Sequence, residues 1–268
     1  DPWAGDDFGA TPLALVTALR EGGSDLLDHV ADRVLAAHWD SLPTAAATLA
    51  ATGFIGCLPH LAIAELGLPP GLQAALHVQL AEGLARIGAG QQRDFSVVTL
   101  ADATEALKKT GERYGLYASL AARFSGESAD IVEAWQDVGW HLGASRQLAS
   151  DCADVLSPQS RDLRSKVRTW PIVWLLERVR EQDGDTAVRA AQELMQAAGR
   201  DDAGAHAVLR SMLIERGVVR RVAWEVEIHC RQALAGLRAA GARDPALGLI
   251  EQVILRGAVL DASAPASS

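Results

Sequence analysis

Leucine, valine and alanine recur three or four residues apart along most of this chain, the spacing that forms the apolar face of an amphipathic helix. Proline divides the pattern: Pro43 is predicted to open one helix, and Pro69 and Pro70 to precede another. No segment shows the alternation that is typical of a strand. The pattern therefore predicts an all-α fold, a helical bundle whose ligand site would lie between facing helices.

The predicted helices are 11–20, 24–39, 44–66, 72–94, 100–124, 129–156, 173–182, 185–198, 203–215, 218–240 and 245–255. Gly22 and Gly23 are predicted to separate the first two helices, with Ser24 as the N-cap of the second. Residues 1–260 are predicted to form a single domain. Residues 261–268, rich in alanine, serine and proline, are predicted to be a disordered tail.

The composition narrows the function classes. The 268 residues are 49% hydrophobic and 22% charged, enough for a sizeable core. The formal net charge of −9 argues against a nucleic-acid partner, since phosphate binding needs clustered lysine and arginine. Three widely spaced cysteines fit a reducing, cytoplasmic location. We also expect no integral membrane segment.

The segment around residue 150 carries the strongest chemical signal. Gln147, Asp151 and Asp154 stand at i, i+4 and i+7, so a helix would place one amide and two carboxylates on one face. Asp162 and Lys166 follow in what is predicted to be a loop. Carboxylate oxygens suit Mg²⁺, and a lysine suits the phosphate oxygens of a diphosphate.

Three other segments have related chemistry. Gly90-Gln91-Gln92-Arg93-Asp94 ends a predicted helix, with Gln91 and Asp94 three residues apart. Lys108-Lys109-Thr110-Gly111 stands before a stretch of small residues. Asp28 and Asp32 have the i, i+4 spacing that lets two carboxylates share metal ions.

These motifs, in this order, resemble the trans-isoprenyl diphosphate synthases, the polyprenyl synthetase family. That family reads roughly Q-x-x-D-D-x-x-D, then D-L, G-K and T-x-P, with G-Q-x-x-D, K-T-G and D-D-x-x-D earlier in the chain. The sequence departs from the pattern at Ser150 and His29, each in place of an aspartate, and at Ser165, in place of the glycine. His38-Trp39-Asp40-Ser41 stands where the family has an arginine pair.

The resemblance implies an isoprenoid-synthase-type bundle with a central apolar cavity, a prenyl diphosphate substrate, Mg²⁺ as cofactor and a homodimer. It assigns metal binding to Asp28, Asp32, Asp151 and Asp154. It assigns neutralisation of the leaving diphosphate to Lys109 and Lys166. The remaining site residues that it implies are Gln91, Asp94, Gln147 and Asp162.

Three functions follow as hypotheses. The first is a class I terpene synthase, which ionises a single allylic diphosphate and cyclises it; the absent arginine pair favours this hypothesis. The second is a chain-elongating prenyltransferase whose N-terminal helices are missing from the sequence. The third is a non-catalytic partner subunit, for which the substitutions Ser150 and His29 argue.

Overall fold

The structure is a computed structural model that describes residues 10–31, 42–94 and 96–241. Within those ranges the chain is helical and contains no strand, which confirms the predicted all-α fold. The helices are α1 (Ala10–Ala31), α2 (Thr44–Thr52), α3 (Leu58–Ala64), α4 (Pro70–Asp94), α5 (Leu100–Ala106), α6 (Lys108–Phe124), α7 (Ala129–Leu156), α8 (Arg161–Ser165), α9 (Trp170–Ala198), α10 (Ala203–Glu215) and α11 (Val218–Ala239). The predicted helix 245–255 and the predicted tail 261–268 lie outside the described residues.

The helices group into two compact units. One comprises Asp1–Leu84 with Leu120–Glu127, and the other comprises Ala85–Ser119 with Ser128–Ser268. The single domain predicted for residues 1–260 stays a prediction.

In the first unit, α1 runs unbroken through Gly22 and Gly23, so the predicted break and the Ser24 N-cap are wrong. The glycine serves close packing instead. A Cβ at Gly23 would lie 2.8 Å from Ile55 Cγ1 and from Phe54 Cβ, a distance that side-chain carbons do not tolerate. Gly23 therefore lets α1 approach the neighbouring segment closely.

Phe54 and Ile55 belong to a π-helical turn, Gly53–Cys57, between α2 and α3. Pro59 explains the turn, because its ring excludes the carbonyl four residues earlier and it has no N–H to donate. Thr44–Ala64 is the one stretch within the described ranges that is long and apolar enough to span a bilayer, with mean hydropathy 1.5. A single such helix is weak support for a membrane span, so the expected absence of a membrane segment stays a prediction.

The core of the second unit is built mainly from α7, α9, α10 and α11. Its buried centre includes Leu148, Leu175, Leu209, Val222 and Ala233. Gly184 interrupts α9 with φ 82° and ψ 179°, close to where the sequence separates 173–182 from 185–198. This backbone conformation is essentially restricted to glycine.

Two further elements differ from the predicted boundaries. Helix 100–124 is divided at Leu107 into α5 and α6, although the Leu107 N–H still donates to the Ala103 carbonyl at 3.3 Å. The loop predicted after α7 contains the short helix α8, which Ser160 caps by accepting a hydrogen bond from the Leu163 N–H. The sequence-based prediction missed α8 because five residues are too few to show helical periodicity.

Candidate active site

The last turns of α7 carry the polar residues Gln147, Asp151 and Asp154. Alternating with them, Leu148, Cys152 and Val155 are each 1% exposed and belong to the core of the second unit. Burial of this apolar stripe fixes how α7 is rotated about its axis. The polar side chains are consequently held by a rigid helix rather than by a loop.

A hydrogen-bonded relay connects α6 to Asp151. The Thr110 hydroxyl donates to Gln147 Oε1 at 2.6 Å, and Gln147 Nε2 donates to Asp151 Oδ1 at 2.6 Å. Thr110 is itself buried, only 3% exposed. Because the threonine hydroxyl bonds one end of the Gln147 amide and the aspartate the other, the relay fixes the orientation of the Asp151 carboxyl group.

Close contact between the α6 and α7 backbones makes this relay possible. A Cβ at Gly143 would lie 2.4 Å from the Thr110 carbonyl oxygen, so no other residue fits at this position. Gln147 stands one helical turn after Gly143. The glycine therefore brings Thr110 within hydrogen-bonding distance of Gln147.

Asp151 is a buried acid in a negatively charged environment. It is 7% exposed, and burial raises the pKa of its carboxyl group well above the usual value. The nearby Asp162 carboxylate raises this pKa further, and Asp94 adds to the rise, whereas the Gln147 hydrogen bond and the Lys109 ammonium lower it. The Asp162 and Asp94 carboxylates and the Lys109 ammonium thus all act electrostatically on Asp151, and carboxylates near a buried acid are a suitable environment for a cation.

Asp94 and Lys109 form an ion pair at the edge of this group. Lys109 Nζ lies 3.3 Å from Asp94 Oδ2, and the two side chains are 19% and 27% exposed. A Cβ at Gly90 would lie 2.7 Å from the Lys109 backbone nitrogen, so this glycine allows the end of α4 to contact the start of α6. Gly111, the glycine of the K-T-G motif, is also closely packed, since a Cβ there would lie 2.8 Å from Trp140 Nε1 on α7.

Asp154 has different contacts from Asp151. Its Oδ2 accepts hydrogen bonds from the Ser160 hydroxyl at 2.6 Å and from the Asp162 N–H at 3.1 Å. Its Oδ1 accepts one from the Arg161 N–H at 3.1 Å. The carboxylate therefore binds the N-terminus of α8, where the first N–H groups have no partner within the helix.

For four other predicted site residues the structure gives only a place in the chain. Lys166 ends α8 in the left-handed conformation, φ 59°, with an exposed side chain. Gln91 is half-buried on α4, three residues before Asp94. Asp28 lies on α1, but its side chain and the whole of Asp32 are outside the described residues. The roles predicted for these four residues stay predictions.

Three residues of this region were not predicted as site residues: Thr110, Gly143 and Ser160. Thr110 stands inside the K-T-G motif, and Ser160 directly precedes α8, where serine is a favoured N-cap. Both signals were available in the sequence. The signal for Gly143 was weaker. It stands four residues after Gly139, so the two glycines lie on one face of the helix.

The donor set suits a hard divalent cation. Asp151 and Asp162 offer carboxylate oxygens, which Mg²⁺ prefers, and Mg²⁺ usually takes one or two carboxylates, with phosphate oxygens and water as its other ligands. In the three ranges that the structure describes, no group of three or more His, Cys, Asp or Glu side chains forms a metal site by itself. A bound ion would therefore depend on oxygens from a ligand.

Comparison with solved structures identifies the fold. The chain is similar to a geranylgeranyl pyrophosphate synthetase from Pyrococcus horikoshii, with TM-score 0.78 and 18% identity over 95% of this chain and 81% of that one. It is also similar to a polyprenyl synthase from Caulobacter crescentus, solved with calcium and isoprenyl diphosphate, with TM-score 0.76 and 20% identity over 95% and 80%. A geranylgeranyl pyrophosphate synthase from Corynebacterium glutamicum, solved with isoprenyl diphosphate and magnesium, gives TM-score 0.73 and 17% identity over 94% and 78%.

No protein-family model matches the sequence, and the comparison with curated protein sequences finds no match. The fold is nevertheless that of the polyprenyl and geranylgeranyl diphosphate synthases, which confirms the isoprenoid-synthase-type bundle predicted from the motifs. At these identities the likeness establishes the fold alone.

Proposed function

We propose that this protein is a metal-dependent enzyme of isoprenoid metabolism that acts on allylic prenyl diphosphates. The observation that carries the proposal is the buried group formed by Asp151, Gln147 and Thr110 beside the Asp94–Lys109 ion pair. It lies on a fold shared with synthases that were solved with isoprenyl diphosphate bound. The acidic side chains suit a metal ion, and the Lys109 ammonium suits a diphosphate. Together they suit a metal–diphosphate complex better than the metal ion or the diphosphate alone.

In this proposal Asp151 and Asp162 would hold Mg²⁺, which would supply Lewis-acid stabilisation of the departing diphosphate. The sequence resemblance implies that Asp28 and Asp32 also bind metal. Lys109 would add positive charge for the diphosphate, and the Thr110–Gln147 relay would hold the Asp151 carboxyl group in one orientation. The allylic C–O bond breaks with its electron pair going to the diphosphate, so no protein nucleophile is needed.

Among the enzymes that this chemistry allows, the chain-elongating prenyltransferase is now the better supported. The similar solved structures are polyprenyl and geranylgeranyl diphosphate synthases, and the chain covers 81% of the one from P. horikoshii. The terpene synthase, the first function suggested by the sequence, has no such support. We infer that the allylic group is joined to a second, isopentenyl diphosphate substrate: the isopentenyl double bond would form the new C–C bond to the allylic carbon, and the resulting cation would lose a proton, which the released diphosphate can accept.

Terpene cyclisation stays the second candidate because of one sequence feature. His38-Trp39-Asp40-Ser41 stands where the arginine pair of the elongating enzymes is expected, and a cyclase needs only one diphosphate site. The non-catalytic partner subunit is the third candidate. It rests on Ser150 and His29, which remove one aspartate from each acidic motif.

The test is incubation of the purified protein and Mg²⁺ with geranyl, farnesyl or geranylgeranyl diphosphate, each with and without isopentenyl diphosphate. Products are identified by mass spectrometry, and released diphosphate is measured. The proposal predicts longer prenyl diphosphates only when isopentenyl diphosphate is present. Hydrocarbons or alcohols from a single allylic diphosphate would instead establish the cyclase, and no turnover in any mixture would favour the partner subunit.

We also propose that the protein is a homodimer in the cytoplasm. Several large apolar side chains of α2 and α3 are exposed in the first unit, among them Leu49 at 74% and Leu61 at 60%. Such a surface suits a subunit interface. Cys57, Cys152 and Cys230 are all free thiols, which fits a reducing compartment. Sedimentation equilibrium tests the dimer directly, and a monomer at micromolar concentration would contradict it.

A further inference from the structure

We propose that Asp154 is a positioning residue, which fixes Asp162 beside Asp151, and that it is not itself a ligand of the metal. The inference deepens the proposed function and rests on it for the identity of the ion. The sequence resemblance assigned metal binding to Asp154. In the structure its carboxylate accepts hydrogen bonds from backbone N–H groups and from a serine.

The contacts of Asp154 use most of its capacity to accept hydrogen bonds. A carboxylate has about four lone-pair sites. Oδ2 already accepts from the Ser160 hydroxyl and the Asp162 N–H, and Oδ1 accepts from the Arg161 N–H. The three bonds are between 2.6 and 3.1 Å and leave one site, on Oδ1. A metal ion bound there would draw charge from the carboxylate and weaken the bonds that it already accepts.

Those bonds are what holds α8 in place. A helix of five residues is not stable alone, and its first N–H groups need acceptors from outside. Asp154 accepts from two of them, while Ser160 Oγ donates to Asp154 and accepts from the Leu163 N–H at 3.1 Å. Ser160 is 3% exposed, so replacement by water is unfavourable. Asp154 and Ser160 together attach the start of α8 to the rigid helix α7.

Asp162 gains its position from this attachment. It lies in the first turn of α8, and its backbone N–H is bonded to Asp154 at 3.1 Å. Asp154 stands three residues after Asp151 on α7, so this bond brings the Asp162 backbone within about one helical turn of Asp151. The Asp162 carboxylate also raises the pKa of Asp151. Ser150 has replaced the aspartate that the family motif has beside Asp151, and it is exposed. We infer that Asp162 supplies the second carboxylate, and that the Asp154–Ser160 contact is what holds it there.

The experiment compares two ways of breaking one contact. Asp154→Asn removes the charge and one acceptor, and Ser160→Ala removes the hydroxyl while every carboxylate remains. Ser160→Thr replaces the serine but keeps a hydroxyl at this position. Glu133→Gln is the matched control, since it removes an exposed carboxylate from the same helix α7.

Two quantities are measured for each variant. The first is amide hydrogen exchange of residues 158–166 without metal. The second is binding of Mn²⁺ in the presence of inorganic pyrophosphate, followed by electron paramagnetic resonance.

A positioning role predicts that Asp154→Asn and Ser160→Ala behave alike. Both should increase exchange in residues 158–166, and both should weaken Mn²⁺ binding about 10-fold, the effect typical of a residue that orients a metal ligand. Ser160→Thr should recover both properties, and Glu133→Gln should match the wild type. The double variant should be no worse than either single variant, because both remove the same contact.

A metal-ligand role predicts a different pattern. Asp154→Asn would lose Mn²⁺ while Ser160→Ala bound it normally and exchange stayed at the wild-type level; that result would overturn the inference. If the wild type bound no Mn²⁺ with pyrophosphate, the proposed function and the metal part of the inference would both fail. Faster exchange in both variants would still establish the positioning contact in that case, so the two failures can be told apart.

Discussion

Helix α7 carries two polar clusters that burial affects in opposite ways. Near its middle, His141 Nδ1 lies 2.9 Å from His229 Nδ1 of α11, and burial lowers the pKa of both histidines. Near its end, burial raises the pKa of Asp151. In each case removal from water favours the uncharged form. The same physical cause therefore acts on both clusters, three turns apart.

The difference lies in what surrounds each cluster. The histidine pair is complete in itself, since one neutral imidazole can donate to the other. At the acid cluster, the Asp162 and Asp94 carboxylates raise the pKa of Asp151, so they act in the same direction as burial. At the histidine pair, the Asp137 and Glu225 carboxylates oppose the effect of burial. Burial alone therefore does not distinguish the two clusters, whereas the carboxylates around each of them do.

The largest expected effect comes from replacement of the Asp151 carboxyl group. Asp151→Asn keeps the size and a hydrogen-bonding oxygen but removes the carboxylate, so we expect kcat/KM for prenyl diphosphates to fall at least about 100-fold. The free energy of unfolding should not fall, because a buried neutral amide, unlike a buried carboxylate, does not need a cation beside it. Steady-state kinetics and urea unfolding measure the two quantities. Activity near the wild-type level would remove Asp151 from the site.

Next in size is the close helix contact that supports the acid cluster. Gly143→Ala would place a Cβ 2.4 Å from the Thr110 carbonyl oxygen, and we expect a loss of about 1–3 kcal/mol in unfolding free energy. Gly88→Ala is the matched control on α4, because no atom lies within 4 Å of its Cβ position. That variant should be more stable by about 0.5–1 kcal/mol. Equal effects of the two alanines on the midpoint of urea unfolding would contradict the packing argument.

A smaller effect is expected for the relay. Thr110→Val preserves the shape of the side chain but removes the hydroxyl that bonds Gln147, so kcat should fall about 10-fold while the protein loses only about 1–2 kcal/mol. Thr104→Val is the control, since its hydroxyl bonds only the Leu100 carbonyl on the exposed face of α5. A change in kcat of the same size in both variants would show that the relay does not orient Asp151.

The smallest effect concerns the histidine pair. Because burial lowers the pKa of His141 and His229 in the folded protein, the unfolded chain binds more protons, and stability falls as the pH drops below about 6.5. The nearby Asp137 and Glu225 carboxylates limit the fall by favouring the protonated forms. We expect a small loss of unfolding free energy between pH 7 and pH 5, reduced because solvent screens these half-buried rings.

The double variant His141→Asn/His229→Asn should flatten this pH dependence, measured by urea unfolding at each pH. A part of the slope should remain, because burial also lowers the pKa of His60 in the first unit. An unchanged slope in the double variant would mean that the pair does not titrate with folding.

The sequence predicted the fold and the acidic end of α7 because both depend on local spacing. Helical periodicity defines α4, α7, α10 and α11 to within about two residues, and i, i+4 spacing places Gln147 beside Asp151. The proline-induced π turn and the continuous helix through Gly23 escaped prediction. Both depend on which atoms pack against a residue, and the sequence alone does not contain that information.

The different contacts of Asp151 and Asp154 also could not be predicted. The two residues have the same chemistry and belong to one motif, so spacing gives them the same role. What separates them is Ser160 and the start of α8, a helix too short to leave a periodic signal. Tertiary hydrogen bonds, rather than residue type, thus decide which of the two carboxyl groups binds the backbone of α8 and which bonds the Gln147 side chain.

The most direct test of the central claim is calorimetric titration with farnesyl thiolodiphosphate, an analogue whose C–S bond resists ionisation, in the presence of either Mg²⁺ or EDTA. The account predicts saturable binding with Mg²⁺ that is lost with EDTA and in Asp151→Asn, but retained in Glu133→Gln. Binding of equal strength with EDTA, or in Asp151→Asn, would contradict the claim that this acidic cluster binds prenyl diphosphates through a metal ion.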